Sequence, residues 1–446
     1  MFFAKHAGNF LFDTIGVICG DGSALMKKPK AYLNVLKLRV NMALKREAVN
    51  SYPVAAFIEP NLYCNLQCPA CPTGLRLGLR PTVAIEEELF KATIDEIGDY
   101  IFQLYMYNWG EPLLHKRTPE MIAYAKKKDI NILLSTNLSI KLTDDYIDRL
   151  VASDLDRMIV SIDGVTQETY AKYRRNGNLA LVRENMMRIQ RARQRLNRTT
   201  PSLVWQFLVF QHNEHEIEQA RAVHKEWGAD EFITGGAEMP MEPHDEGFAP
   251  STIPAYNIYH PDHPLQKETE RQITSDRACA WLYGVFVLNP NGRVAPCCAV
   301  PSEKLDFGEY HKGEFFSVWN NETFRRARRL FTPASRKPRG QQRKLTAEQK
   351  TAISKRIDGM ALRVVDQLSE DKLICHQCPI PFLQNYTDPI IADVAAAQRN
   401  GLAHAPSLTG RARHLMNYML MGGPTLYGMS GTRALAKRLL SLRAPQ

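Results

Sequence analysis

No apolar run near the start of this 446-residue chain is long enough to span a bilayer: the longest, residues 10–19, is interrupted by Asp13. No basic leader precedes a small-residue cleavage site, so the sequence reads as cytoplasmic. Acidic residues are missing from two stretches. Residues 325–345 hold nine Lys or Arg and no acid, and after Asp393 seven Lys or Arg follow with no acid at all. The first stretch reads as a solvated insertion, and the formal net charge of +10 permits an anionic partner without identifying one. No internal repeat is found. A hydrophobic content of 44% and a charged content of 23% are ordinary for a soluble globular protein, with length enough for two domains. Nine cysteines in such a chain point to metal ligation before disulfides, because a reducing compartment keeps thiols free.

From Val54 onward, short apolar runs rich in β-branched residues alternate with amphipathic helical patterns, the signature of repeated β/α units around a parallel sheet. Strands are expected at 54–58, 102–107, 130–135, 157–162, 203–210 and 231–234, and helices at 86–98, 119–127, 144–152 and 181–196. Six such strands give an α/β fold class: a partial (β/α)6 TIM-like barrel at 54–235, after an N-terminal extension at 1–53. A Pro-rich, acidic linker or covering loop is expected at 236–270, and a small cysteine-rich domain at 271–385 with a basic insertion over about 325–360. A basic helical tail fills 386–446. Within it Leu435, Leu439, Leu440 and Leu442 are spaced against Arg433, Lys437 and Arg438, which predicts weak, salt-sensitive association with an anionic membrane surface or polyanionic carrier.

Cys64, Cys68 and Cys71 follow the first expected strand directly, where α/β folds place their sites. Three thiolates wrap one corner of a cubane and leave its fourth iron open, a position at which a cofactor can be chelated and reduced. A zinc knuckle would want a fourth ligand nearby, and no Cys or His lies between Cys71 and His115. The C-x3-C-x2-C spacing resembles the signature of the radical S-adenosylmethionine superfamily. That resemblance implies a 4Fe-4S cluster, S-adenosyl-L-methionine and an electron from a flavodoxin- or ferredoxin-type donor. The family's 5′-deoxyadenosyl radical then abstracts a hydrogen atom from substrate. Ala70 departs from the family, which has an aromatic residue before the third cysteine.

The resemblance extends along the expected strand ends. Gly110 and Glu111, in Asn-Trp-Gly-Glu-Pro, match the element that holds the methionyl ammonium. Ser135 and Asn137 after the third strand, and Ser161 and Asp163 after the fourth, match segments that approach the ribose and the carboxylate. Helix capping is the plain alternative for these short polar residues. Of Arg174 and Arg175, Arg175 is the better match to an arginine that pairs with the methionyl carboxylate, and Leu208 matches the region flanking adenine.

Cys279, Cys297, Cys375 and Cys378, with Trp281, Gly292 and Pro296, resemble the SPASM/twitch extension of radical enzymes. The resemblance implies one auxiliary 4Fe-4S cluster closed by those four cysteines, and a four-cysteine zinc site remains the alternative. Cys298 is a ligand in place of Cys297, a packed thiol, or a catalytic hydrogen-atom donor. The expected function is a radical oxidoreductase of dehydrogenase type on a small hydroxylated, carbohydrate- or cyclitol-like substrate. A radical epimerase or peptide maturase is the alternative. A non-catalytic zinc protein with a nucleic-acid-binding basic surface is more remote, nucleic acid being the least favoured partner.

Overall fold

The computed structural model describes residues 28–236, 249–257, 260, 279–330 and 375. Its first helix, α1 (Pro29–Ala43), opens on a proline, which suits a position whose N–H would have no partner anyway. Lys28 pins that end to the body: its Nζ donates to the carbonyls of Gly98 at 3.0 Å, Ile101 at 2.6 Å and Lys128 at 2.8 Å.

Six parallel strands follow: β1 (Ala55–Ile58), β2 (Gln103–Tyr105), β3 (Asn131–Thr136), β4 (Arg157–Ser161), β5 (Ser202–Val209) and β6 (Glu231–Gly236). Between them run α2 (Glu87–Ile97), α3 (Thr118–Lys126), α4 (Asp144–Ala152), α5 (Gln167–Tyr173) and α6 (Leu179–Arg195), with α7 (Ile217–Val223) before β6. Helix starts follow capping chemistry. The side chains of Thr143, Thr166 and Asn178 accept from the N–H groups of Tyr146, Thr169 and Leu181, satisfying donors that the first turn leaves open. Every strand and helix expected between residues 54 and 235 is present to within a few residues.

The six strands lie in sequence order, each parallel to the next. Their carboxyl ends therefore share one rim, as in a TIM-like barrel, and the sheet stays open with β6 at one edge. The expected partial barrel is present.

The cysteine-bearing region is joined to this sheet rather than set apart from it. After α8 (Ala280–Gly284), strand β7 (Val285–Leu288) pairs parallel to β1, in register from Ala55↔Val285 to Ile58↔Leu288. Strands β8 (Arg293–Ala295) and β9 (Gly308–Glu309) continue antiparallel to a nine-stranded sheet. One hydrophobic cluster runs from Val35 on α1 through the barrel to Ala327. Arg80, after the Cys64–Cys71 loop, adds a buried strut: its guanidinium grips both carboxylate oxygens of Asp306 at 2.8 Å and donates to Val300 O at 3.0 Å.

The expected solvated insertion is corrected at its start. Residues 325–329 belong to α10 (Glu322–Arg329), which follows α9 (Phe315–Trp319), and Arg328 is fully buried. Its guanidinium donates to the carbonyls of Leu282 and Glu47 at 2.9 Å and lies over the rings of Trp319, Tyr283 and Phe324, so the charge enters the core already partnered. The remainder of the insertion, Cys378, most of the linker and the whole tail with its 432–442 segment lie outside the described residues. Among the described residues no helix is long and apolar enough to cross a membrane.

Candidate functional site

The rim of carboxyl ends gathers the residues singled out by sequence. Cys64, Cys68 and Cys71 occupy the loop after β1, packed with Leu66, Ala70, Leu208, Phe210 and Tyr173. That loop is held from several sides. Asn65 Nδ2 donates to Ser139 O at 2.8 Å, Gln67 N to Arg175 O at 3.1 Å, and Cys71 N to Cys68 O at 3.2 Å. Gly74 closes it: a Cβ there would meet the backbone N and O of Cys68 at 2.6 Å.

Cys68 is buried and Cys64 and Cys71 are half-buried, with donors aimed at their sulfurs. Burial pushes Cys64 up to about 12 and Cys68 up to about 11, and raises Cys71. Leu66 N lies 3.4 Å from Cys64 Sγ, Asn137 Nδ2 lies 3.6 Å from the same sulfur, and Arg174 Nη1 lies 3.9 Å from Cys68 Sγ. Such thiols ionise only when a cation compensates them, and N–H groups directed at sulfur are how proteins tune cluster thiolates. Among the described residues no three Cys, His, Asp or Glu side chains converge on a single metal ion. The donor set fits a multi-iron cluster, in which each iron takes its own thiolate.

Glu111 lies beside the thiols and is almost fully buried. Its Oε1 accepts from Thr136 Oγ1 at 2.7 Å and Leu113 N at 3.1 Å, and its Oε2 from Asn137 N at 2.7 Å. A carboxylate offers about four acceptor directions, so one remains for a cationic amine. Burial outweighs these bonds and pushes the carboxyl up to about 7. Gly110 must be glycine, because a Cβ there would lie 2.0 Å from Asn61 O.

The structure places the two neighbouring arginines differently. Arg174 Nε donates to Asp163 Oδ2 at 2.6 Å, with Asp163 fully buried, and the guanidinium lies over the Tyr173 ring at 4.8 Å. Arg175 is exposed and reaches the cysteine loop through its carbonyl. The side chain of Arg174 thus turns toward the thiols, while Arg175 bonds the cysteine loop through its backbone carbonyl. Asp163 Oδ1 accepts from Leu208 N at 2.7 Å, tying β4 to β5. Ser135 and Ser161 stand at the ends of β3 and β4. Ser161 is in register with Gln206, whose Nε2 is buried without a partner. Asn137 lies against both Cys64 and Asn65 and caps no helix, the next one starting at Asp144 with Thr143 as its cap.

Glu59 was not singled out by sequence. It follows β1, its Oε1 accepts the N–H groups of Trp109 and Gly110 at 2.5 Å each, and its Oε2 is buried without a partner. Burial pushes it up to about 7 against those bonds. Its sole signal in the sequence is a carboxylate directly after a buried strand.

At the second cysteine set, Cys279 and Cys297 are both buried, and the charge of each thiolate would bear on the other. Cys298 is buried as well, and the charge of a Cys297 thiolate would raise its thiol further; in the amide orientation that satisfies both ends Asn108 donates to Cys298 O at 3.1 Å. Cys375 packs half-buried against the main core. Trp281, two residues after Cys279, contacts Phe57 at 5.6 Å between ring centres, and Phe57 stacks on Tyr105 at 4.5 Å and meets Tyr107 edge-on at 5.8 Å.

A family model described as the radical SAM superfamily matches residues 58–223, and a second, an iron–sulfur cluster-binding domain of SPASM type, matches residues 279–344. An AdoMet-dependent heme synthase of Methanosarcina barkeri is 30% identical over 111 residues, covering 25% of this chain and 31% of the relative. The match thus spans less than a third of that enzyme. A PqqA peptide cyclase of Xanthomonas campestris pv. campestris is 20% identical over 305 residues, covering 62% of this chain and 76% of the relative. Among solved structures, SuiB of Streptococcus suis aligns with a TM-score of 0.49 at 13% identity, covering 69% of this chain and 73% of that one.

Proposed function

Since the chain belongs to the radical S-adenosylmethionine superfamily and carries a SPASM iron–sulfur domain, we propose that it is a radical oxidoreductase that dehydrogenates a small hydroxylated substrate. The family supplies a 4Fe-4S cluster and S-adenosylmethionine, whose reductive cleavage provides the hydrogen-abstracting radical. In this reading Cys64, Cys68 and Cys71 hold the cluster, Glu111 offers its remaining acceptor direction to the methionyl ammonium, and Arg174 meets the carboxylate. Asp163 keeps Arg174 in place, and Leu208 packs beside the adenine.

The observation that carries the oxidative reading is the aromatic bridge from Trp281 through Phe57 to Tyr105 and Tyr107. It joins the Cys279–Cys297 pair to the sheet face that also bears Glu59. Oxidising an alcohol to a carbonyl removes a hydrogen atom from carbon, a proton from the hydroxyl and one electron, and a second iron–sulfur centre beside the barrel is a suitable acceptor for that electron. The polar groups facing the same interior, Gln206 and Ser161, suit hydroxyl recognition.

Anaerobically reconstituted protein should form 5′-deoxyadenosine with a panel of polyols and aminocyclitols, and one carbonyl product for each. Cys279→Ala should retain cleavage of S-adenosylmethionine while losing the carbonyl product. A carbonyl yield unchanged in Cys279→Ala would sink the oxidative reading. Epimerisation is the second reading, and the burial of Cys298 favours it, since a buried thiol held protonated is a hydrogen-atom donor.

A further inference from the structure

Six large apolar side chains are exposed among the described residues, and four of them stand on one face of α1: Leu33 at 62%, Leu36 at 54%, Val40 at 49% and Leu44 at 62%. At about 100° per residue these four fall within an arc of roughly 80° and a length of roughly 16 Å. The opposite face, with Ala31, Val35 and Leu38, is buried in the core. Asn34 fixes the helix there, donating to Tyr52 O at 2.9 Å and accepting from Tyr52 N at 2.8 Å. The helix is thus apolar on two sides, and among the described residues only one has a partner.

Charge says what the other side meets. Residues 28–46 contain six Lys or Arg and no Asp or Glu. Lys30 and Lys37 border the exposed stripe on one side and Arg39 on the other, with Arg46 exposed just past its end. Lys30 reaches down to Asp99 at 2.9 Å, yet its side chain stays 64% exposed. A second copy of the chain is disfavoured on two grounds. Two such stripes facing each other would oppose basic flanks, and four partly exposed aliphatic side chains offer on the order of a few hundred Å2, short of the ~800 Å2 per partner of a stable dimer.

We propose that the outer face of α1 docks on an anionic lipid bilayer, with Leu33, Leu36, Val40 and Leu44 entering the interface and Lys37 and Arg46 meeting lipid phosphates. The reading is independent of the proposed reaction, because the stripe lies on the outer side of α1, away from the buried side that packs on the helix after Cys279.

The test is co-sedimentation of the full-length, iron-loaded protein with phosphatidylcholine vesicles, with and without phosphatidylglycerol. Binding is expected only with phosphatidylglycerol, falling as salt is raised. Leu36→Gln with Val40→Gln should lower vesicle affinity roughly tenfold, and Lys37→Glu should lower it severalfold, with cleavage of S-adenosylmethionine and the iron–sulfur spectrum unchanged. Should the first pair disturb the spectrum, Leu33→Gln with Leu44→Gln repeats the measurement. Three results would overturn the proposal: no binding to phosphatidylglycerol vesicles, equal binding by parent and apolar-face variants with loss only on deleting 430–446, or a concentration-dependent dimer abolished by those variants.

Discussion

Glu59 and Gly110, the first past the end of β1 and the second in the loop after β2, are joined by a 2.5 Å hydrogen bond from the Gly110 N–H, and the Trp109 N–H shares the same oxygen. The loop that presents Glu111 is thereby tied to the strand that leads into the cysteines. Glu59→Ala should weaken S-adenosylmethionine binding by roughly tenfold or more, the worth of a charge-assisted bond in a buried site, while iron content stays at the parent value. Equilibrium binding and iron analysis on the same sample check this, and unchanged affinity would refute the role.

Arg174 and Arg175 separate cleanly by substitution. Arg174→Ala leaves Asp163 buried and unpaired, and should cost about 3–5 kcal/mol of stability along with cofactor affinity. Arg175→Ala removes an exposed side chain while keeping the carbonyl bond to Gln67, and should stay within roughly 0.5 kcal/mol of the parent. Denaturant unfolding and cofactor binding of the two variants measure the contrast.

The buried carboxyls make stability depend on pH. Glu59 and Glu111 are both pushed up to about 7 in the folded protein from an ordinary value of 4.5. A raised carboxyl binds its proton more tightly folded than unfolded. The resulting stabilisation is whole below about 4.5 and is lost as pH rises through 7, at up to about 1.4 kcal/mol per pH unit for each group. Iron-free protein carrying Glu111→Gln should show a shallower decline over that window, measured by urea unfolding from pH 5 to 8.

Cys297 and Cys298 are expected to differ in iron content. Cys297→Ala should lower iron to the complement of the first cluster, because in the proposed reading this buried thiol closes the second cluster with Cys279. Cys298→Ala should keep all the iron, and if the enzyme epimerises it should still cleave S-adenosylmethionine while losing net turnover. Iron loss in Cys298→Ala would reverse the assignment.

The barrel was legible in the sequence because buried parallel strands read as short continuous apolar runs, and β1 is buried at all four positions. The three-cysteine loop was legible for the same reason, its spacing following such a run. Helix α1 was not, since Leu33 and Leu36 on one side and Val35 and Leu38 on the other blur any single-faced period. Arg174 could not be told from Arg175, because the choice depends on how the chain leaves α5. The pairing of β7 with β1 joins residues more than two hundred positions apart and carries no local sign. Glu59 has no motif around it, and its role appears only once the loop after β2 is folded back on it.

The β1–β7 ladder, four registered residue pairs long, also governs how far apart the two cysteine regions stay. Electron tunnelling through protein falls off exponentially with separation, so a connection by flexible loop would let the rate wander with every fluctuation. Cys279 stands just before the short helix that leads into β7, Cys297 just after β8, and the Arg80–Asp306 strut braces the same junction. Clusters held by the two cysteine sets would therefore be spaced by backbone hydrogen bonds of one sheet, and the electron's path between them would be as steady as that sheet.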